Sequence, residues 1–151
     1  INISPKGLDS LKVLDTMTVA YLDHTGSANE TAAHLLQNGR MTMMFCSFDE
    51  EPLILRLYGR GRVVRPGCAD WDTLRPHFGD MPGERQIVVL EMTSCSTACG
   101  LGVPLFSFTA DRTGLSDWAE RAGKQGMADY RRHNNVVSID GLPTALNEPE
   151  A

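Results

Sequence analysis

The stretch Asp23-His24-Thr25-Gly26-Ser27-Ala28-Asn29-Glu30-Thr31 has the residue types to hold an anion. It follows the apolar run Thr18 to Leu22 and leads into a helical pattern, so a strand hands the chain through a Gly-Ser turn to a helix N-terminus. Ser27 and Glu30 have the spacing of a capping box, each side chain satisfying a main-chain N–H. N–H groups of a first turn point outward at the positive end of the helix dipole, which suits a phosphate. Here the donors would be the N–H groups of Ala28 and Asn29, the hydroxyls of Ser27 and Thr31, and the Asn29 amide. An ordinary capped helix is the commoner use of such a turn, and the turn holds no Arg or Lys to neutralise a phosphate.

Cations elsewhere could supply that charge. Lys6 in Ser4-Pro5-Lys6-Gly7 is held between a proline and a glycine at a strand end, placed either to point at a ligand or to lie in solvent. Arg56 sits between Leu55 and Leu57 on a strand face shared with Ile54 and Tyr58. It is either an anion or interface residue, through its planar fork, or a surface side chain laid across apolar neighbours. Cys95 and Cys99 lie four apart without the reactive C-x-x-C spacing, and His24, His34, His77 and His133 show no ligand spacing, so inert thiols and no metal are expected. The Gly100-Leu101-Gly102 step brings backbone close to a strand or a flat ligand. No G-x-S-x-G, G-x-G-x-x-G or Walker A pattern is present.

The elements that position these residues read as short strands with brief helices between them. Strands are expected near Ile1–Ser4, Thr18–Leu22, Arg40–Phe48 (covered on both sides), Leu53–Arg65, Gln86–Met92 and Val103–Thr109. Gly59 and Gly61 alternate within the long strand and predict a sharp bend. Helices are expected over Ala28–Gln37, from Asp70 through Trp71 and Leu74, and from Ser116 through Trp118, with 133–151 an irregular tail. Short connections favour antiparallel pairing, hence a mainly β, α+β single domain over 1–151, a small barrel decorated by helices. A length of 151 residues suits one core. A net charge of −5 argues against a general nucleic-acid binder, and no apolar run is long enough to cross a bilayer. Four irregular cysteines fit a reducing cytoplasm better than a disulfide scaffold. The opening at Ile1 reads as a truncation.

Six pieces together resemble the pyridoxamine 5′-phosphate oxidase-like, FMN-binding split-barrel family. They are N-I-S-P-K-G (2–7), T-V-A-Y-L-D-H-T-G-S (18–27), R-M-T-M-M-F (40–45), L-R-L-Y-G-R-G-R-V-V (55–64), C-G-L-G-V-P (99–104) and S-I-D-G-L-P (138–143). The resemblance implies a six-stranded antiparallel split barrel, here without the family's N-terminal strand and helix. It also implies a homodimer with FMN at the subunit interface and a small-molecule substrate or electron donor. Ser4, Lys6, Leu22, Asp23, Gly26, Ser27, Asn29 and Thr31 would hold the flavin's phosphate tail and one ring edge. Arg56 would reach across the dimer, and Cys99 and Gly100 would lie near the ring.

The oxidase carries Arg-Lys where this chain has Ala28-Asn29, and its C-terminal pattern for pyridoxal phosphate has no counterpart here. The implied function is therefore a flavin-dependent oxidoreductase acting on something other than pyridoxamine phosphate. The alternative is a module without turnover that binds flavin or the deazaflavin F420 as a sensor or carrier. No catalytic residue can be named from the sequence.

Overall fold

A computed structural model describes residues 2–146. Five strands, β1 (Leu11–Val13), β2 (Thr18–His24), β3 (Arg40–Cys46), β4 (Ile54–Val64) and β5 (Glu84–Ala98), form one antiparallel sheet in the order β1-β2-β5-β4-β3. Helix α1 (Glu30–Asn38) links β2 to β3, α2 (Ala69–Leu74) follows β4, and α3 (Gly114–Asn134) follows β5. The architecture is α+β, mainly antiparallel, and consistent with a split-barrel-like fold.

Strand alternation divides the interior into two cores. Val19 and Tyr21 of β2 join Val88 and Leu90 of β5 and Leu35 of α1 on one face. Ala20 and Leu22 join Ile87 and Val89, Trp71 of α2 and Phe78 on the other. The first half of β5 is thus covered on both sides, whereas Thr93 to Thr97 in its second half are exposed.

At the paired glycines, where a bend is expected, β4 and β5 lose regular pairing. Their register shifts between Tyr58 and Gly59, with Thr93 as the extra residue on β5. A Cβ on Gly59 would lie 1.9 Å from the Glu91 carbonyl oxygen. Only glycine lets the two backbones approach this closely. At Gly61 a Cβ would instead meet the ends of Leu35 and Met41.

Several expected elements differ. Ile1 lies outside the described residues, no strand covers Asn2 to Ser4, and β1 forms later, from a short segment with weak alternation. Arg40–Phe48 ends as a strand at Cys46 and is an edge with only Met43 buried, so its apolar run does not mark a doubly covered position. The strand expected to end at Met92 runs on through the Ser, Thr and Cys residues that follow it, as β5, to Ala98. Val103–Thr109 is irregular, with Leu105, Phe106 and Phe108 exposed, leaving five strands among the described residues where six were expected. Cys68 and Thr113, rather than Asp70 and Ser116, occupy the N-cap positions of α2 and α3.

The C-terminal segment begins after Asn134 rather than at 133, and residues 147–151 lie outside the described residues. It is irregular as expected, yet Asn135, Ser138 and Thr144 are buried and an isolated bridge joins Val137 to Pro143.

Candidate functional site

At the end of β2 the chain brings Asp23 to the mouth of a cavity of about 270 Å³. The Ser4–Gly7 segment forms one wall, and the Gly26–Thr31 turn with the start of α1 forms another. Ser4, Lys6, Leu22, Asp23, Gly26, Ser27, Asn29 and Thr31 all line this one cavity, although 17 residues separate Lys6 from Asp23. Arg56, Cys99 and Gly100 do not line it. Arg56 pairs with Met44 and Ser96 in the sheet, and Gly100 packs against Leu53 beyond the far end of β5. From Gln86 to Ser96 along β5 is roughly 33 Å at about 3.3 Å per residue.

Asp23 is the hub. Its Oδ1 accepts from Lys6 Nζ at 2.7 Å, and its Oδ2 accepts from Arg85 Nη2 at 2.7 Å and Gln86 Nε2 at 3.0 Å. Burial alone would raise its pKa, but Arg85 and Lys6 outweigh that and hold the carboxyl below the usual carboxylate range. The carboxylate is therefore a fixed anion with both oxygens engaged. Two cations thus meet at one carboxylate, and Glu30 adds a second acid to the cavity lining. Lys6 also lies 4.9 Å from the centre of the Tyr21 ring.

Arg85 was not foreseen. It stands where β5 enters the sheet, and its Nη1 also donates to the Ala28 carbonyl at 3.0 Å and to Asn135 Oδ1 at 2.8 Å. The turn without a cation of its own thus receives one from a strand 57 residues away in sequence. The signal available was a charged and an amide residue, Arg85-Gln86, opening the apolar run Ile87–Leu90. Gln86 also donates to Asn29 Oδ1 at 2.7 Å, while Asn135 Nδ2 donates to the Gly26 carbonyl at 2.9 Å.

This network corrects the capping box. Helix α1 starts at Glu30, with Asn29 as N-cap and no side-chain capping bond. Asn29 is buried and spends its amide on Gln86 and on the Asn135 carbonyl. Glu30 instead accepts the Ile139 N–H, at 3.1 and 3.2 Å to its two carboxylate oxygens. Tertiary partners have taken Glu30, which the local pattern assigned to the cap, and the observed N-cap residue Asn29, and the helix opens two residues later than expected. Its first N–H groups remain without intrahelical partners beside the cavity.

His24 also lines the cavity, and its buried Nε2 has no hydrogen-bond partner. Burial lowers its pKa, with Asp23 opposing and Lys6 adding to the effect, so the ring is neutral at pH 7. The site therefore offers hydroxyls at Ser4, Ser27 and Thr31, a neutral imidazole, helix N–H groups and two cations, Lys6 and Arg85, set against the carboxylates of Asp23 and Glu30. These are the attributes of a site for a phosphate-bearing or otherwise anionic ligand.

No family model matches the chain. It is 39% identical over 161 residues to the pyridoxamine 5′-phosphate oxidase family protein ustO of Aspergillus flavus, covering 95% of this chain and 64% of that protein. The chain thus spans 64% of the length of the curated relative it matches. Two crystal structures of HupZ from Group A Streptococcus share the fold. One, of a histidine-to-alanine variant, has a TM-score of 0.52 at 21% identity, covering 64% of this chain and 78% of that one. The other has a TM-score of 0.52 at 18% identity, covering 70% and 79%.

Proposed function

The chain belongs to the pyridoxamine 5′-phosphate oxidase family, and from that premise we propose that it binds FMN with the phosphate tail in the Asp23 cavity. Family membership suggests a flavin-binding protein. The observation that carries the finer reading is the pairing of two cations, Lys6 and Arg85, with Asp23 beside the open N-terminus of α1. In this reading Lys6 and Arg85 replace the Arg-Lys pair that Ala28 and Asn29 lack. Ser4, Ser27 and Thr31 donate to phosphate oxygens, while Leu22, Asp23, Gly26 and Asn29 shape the wall.

The cavity holds the tail of such a ligand and leaves its flat ring to be covered from outside. We assign that cover to a second copy of the chain, whose Arg56, Cys99 and Gly100 would serve a cavity other than their own. Bound flavin would supply hydride and electron transfer; the protein would supply orientation and charge. The reading is of an oxidoreductase in the cytoplasm, with a substrate other than pyridoxamine phosphate.

Asp23 gives a specific reason to keep the reading without turnover beside it. Its oxygens are engaged by Lys6, Arg85 and Gln86, which removes the cavity's buried carboxylate from acid–base work. An NAD(P)H oxidation rate no higher than that of free FMN, despite tight binding, would favour a sensor or carrier.

Titration of the purified chain with FMN, followed by flavin absorbance and fluorescence, tests the binding. Saturable binding weakened about tenfold by Lys6→Ala is expected. A colourless protein that leaves FMN fluorescence unchanged would overturn the proposal.

A further inference from the structure

Glu30 and His34 lie one turn apart on α1, and the C-terminal segment brings Asp140 against them. One ligand atom from each lies within 4.8 Å of the other two. His34 Nε2 is enclosed and faces Asp140 Oδ2 at 3.3 Å, a pairing too poorly aligned to satisfy it fully. That separation is what two ligands on one tetrahedral ion show, roughly 3.4 Å for metal–ligand bonds near 2.1 Å. We propose that Glu30, His34 and Asp140 form a binding site for a divalent transition-metal ion of the zinc class.

The donor set is one imidazole nitrogen and two carboxylate oxygens, a mixture that suits zinc and discriminates against calcium and magnesium, which favour all-oxygen shells. Three protein ligands leave a fourth position to water, and Asp140 is exposed enough to admit the ion from solvent. Outer contacts already orient the ligands. Ser138 Oγ donates to Asp140 Oδ1, and the Ile139 N–H bonds the Glu30 carboxylate. A bound ion would staple residues 138–140 to α1. It would therefore fix the segment whose Asn135 and Thr144 are bonded beneath the cavity. The proposal does not rest on the flavin reading, although Glu30 also lines the Asp23 cavity.

The chelator-stripped 151-residue chain, titrated with ZnCl2 by calorimetry in the absence of flavin, is expected to bind one ion per chain. His34→Gln and Asp140→Asn should each weaken binding by about tenfold or more, with circular dichroism confirming that the fold is kept. Should His34→Gln fail to fold, the exposed Asp140→Asn decides alone. Cobalt(II) provides the second readout: the proposed shell gives visible d–d bands without the near-ultraviolet thiolate band that ligation by Cys95 or Cys99 would produce. Absence of one-to-one binding, affinity unchanged in Asp140→Asn, or a thiolate band would each overturn the proposal.

Discussion

Asp23 and Arg85 are both 4% exposed, so their pairing is settled away from solvent. Removing one partner from such a pair leaves the other charge uncompensated, at a cost of about 3–5 kcal/mol. Asp23→Ala is accordingly expected to lower the unfolding free energy by about 3 kcal/mol or more, measured by urea denaturation at pH 7. The same group sets an acid limit. Its folded pKa is depressed, so its stabilisation is present above the ordinary carboxylate range and is lost as pH falls through the depressed value. His24 acts in a higher window with the same slope: its folded pKa lies below the ordinary 6.5, so stability is lost as pH falls from about 6.5 toward that lower value. Denaturation midpoints against pH should therefore show two acid steps. His24→Gln should remove the upper one and Asp23→Asn the lower. A wild-type profile flat from pH 7 to 5 would contradict the neutral, enclosed imidazole.

Among the elements, β4 and β5 decide the shape of the sheet, and their two glycines do so by different means. A methyl group on Gly59 would strike the Glu91 and Met92 backbones, which cannot move without breaking the ladder. At Gly61 it would press on Leu35 and Met41 side chains that have other rotamers. Gly59→Ala should cost about 3 kcal/mol or more and Gly61→Ala about 1 kcal/mol, so the melting temperatures should fall in that order. Equal losses would mean that the bulge is not a fixed point of the fold. This irregularity was legible in the sequence because two glycines interrupt a strict alternation. The strand–turn–helix around Asp23 was legible for a similar reason, its apolar run ending at a Gly-Ser turn. What the sequence hid were long-range substitutions for local rules. Asn29 gives its side chain to Gln86 and Asn135, and Glu30 gives its carboxylate to the Ile139 N–H; neither partner is near in the chain. His34 looked isolated because its neighbour Asp140 lies more than a hundred residues on. Val103–Thr109 misled because alternation records which side chains need cover, whether or not the backbone pairs.

For the whole molecule the same segment poses a problem of uncovered apolar surface. Leu105, Phe106 and Phe108 are 66–82% exposed, and Phe106 rests against Phe48, itself 46% exposed, at a ring separation of 5.3 Å. Met44 on edge strand β3, Leu53 and Leu101 are also exposed. Where exposed apolar side chains adjoin, as Phe48 and Phe106 do, they mark an interface more often than a solvated face. The surface lies toward the end of the sheet that carries Ser96 to Gly100, away from the Asp23 cavity, and there Arg56 sits apart from its own chain's cavity. A two-fold pair would bury these side chains on both copies at once and carry Arg56 toward the other copy's ligand. Sedimentation equilibrium at micromolar concentration should then report twice the chain mass of 16.6 kDa. Phe108→Asp should return the monomer, because it places a charge in the most exposed part of the patch. Arg56→Ala should keep the dimer but weaken FMN binding about tenfold. A dimer whose FMN affinity ignores Arg56→Ala would leave that arginine as a stem across Leu55 and Leu57. A monomer that binds FMN as tightly as the wild type would show the cavity complete within one chain.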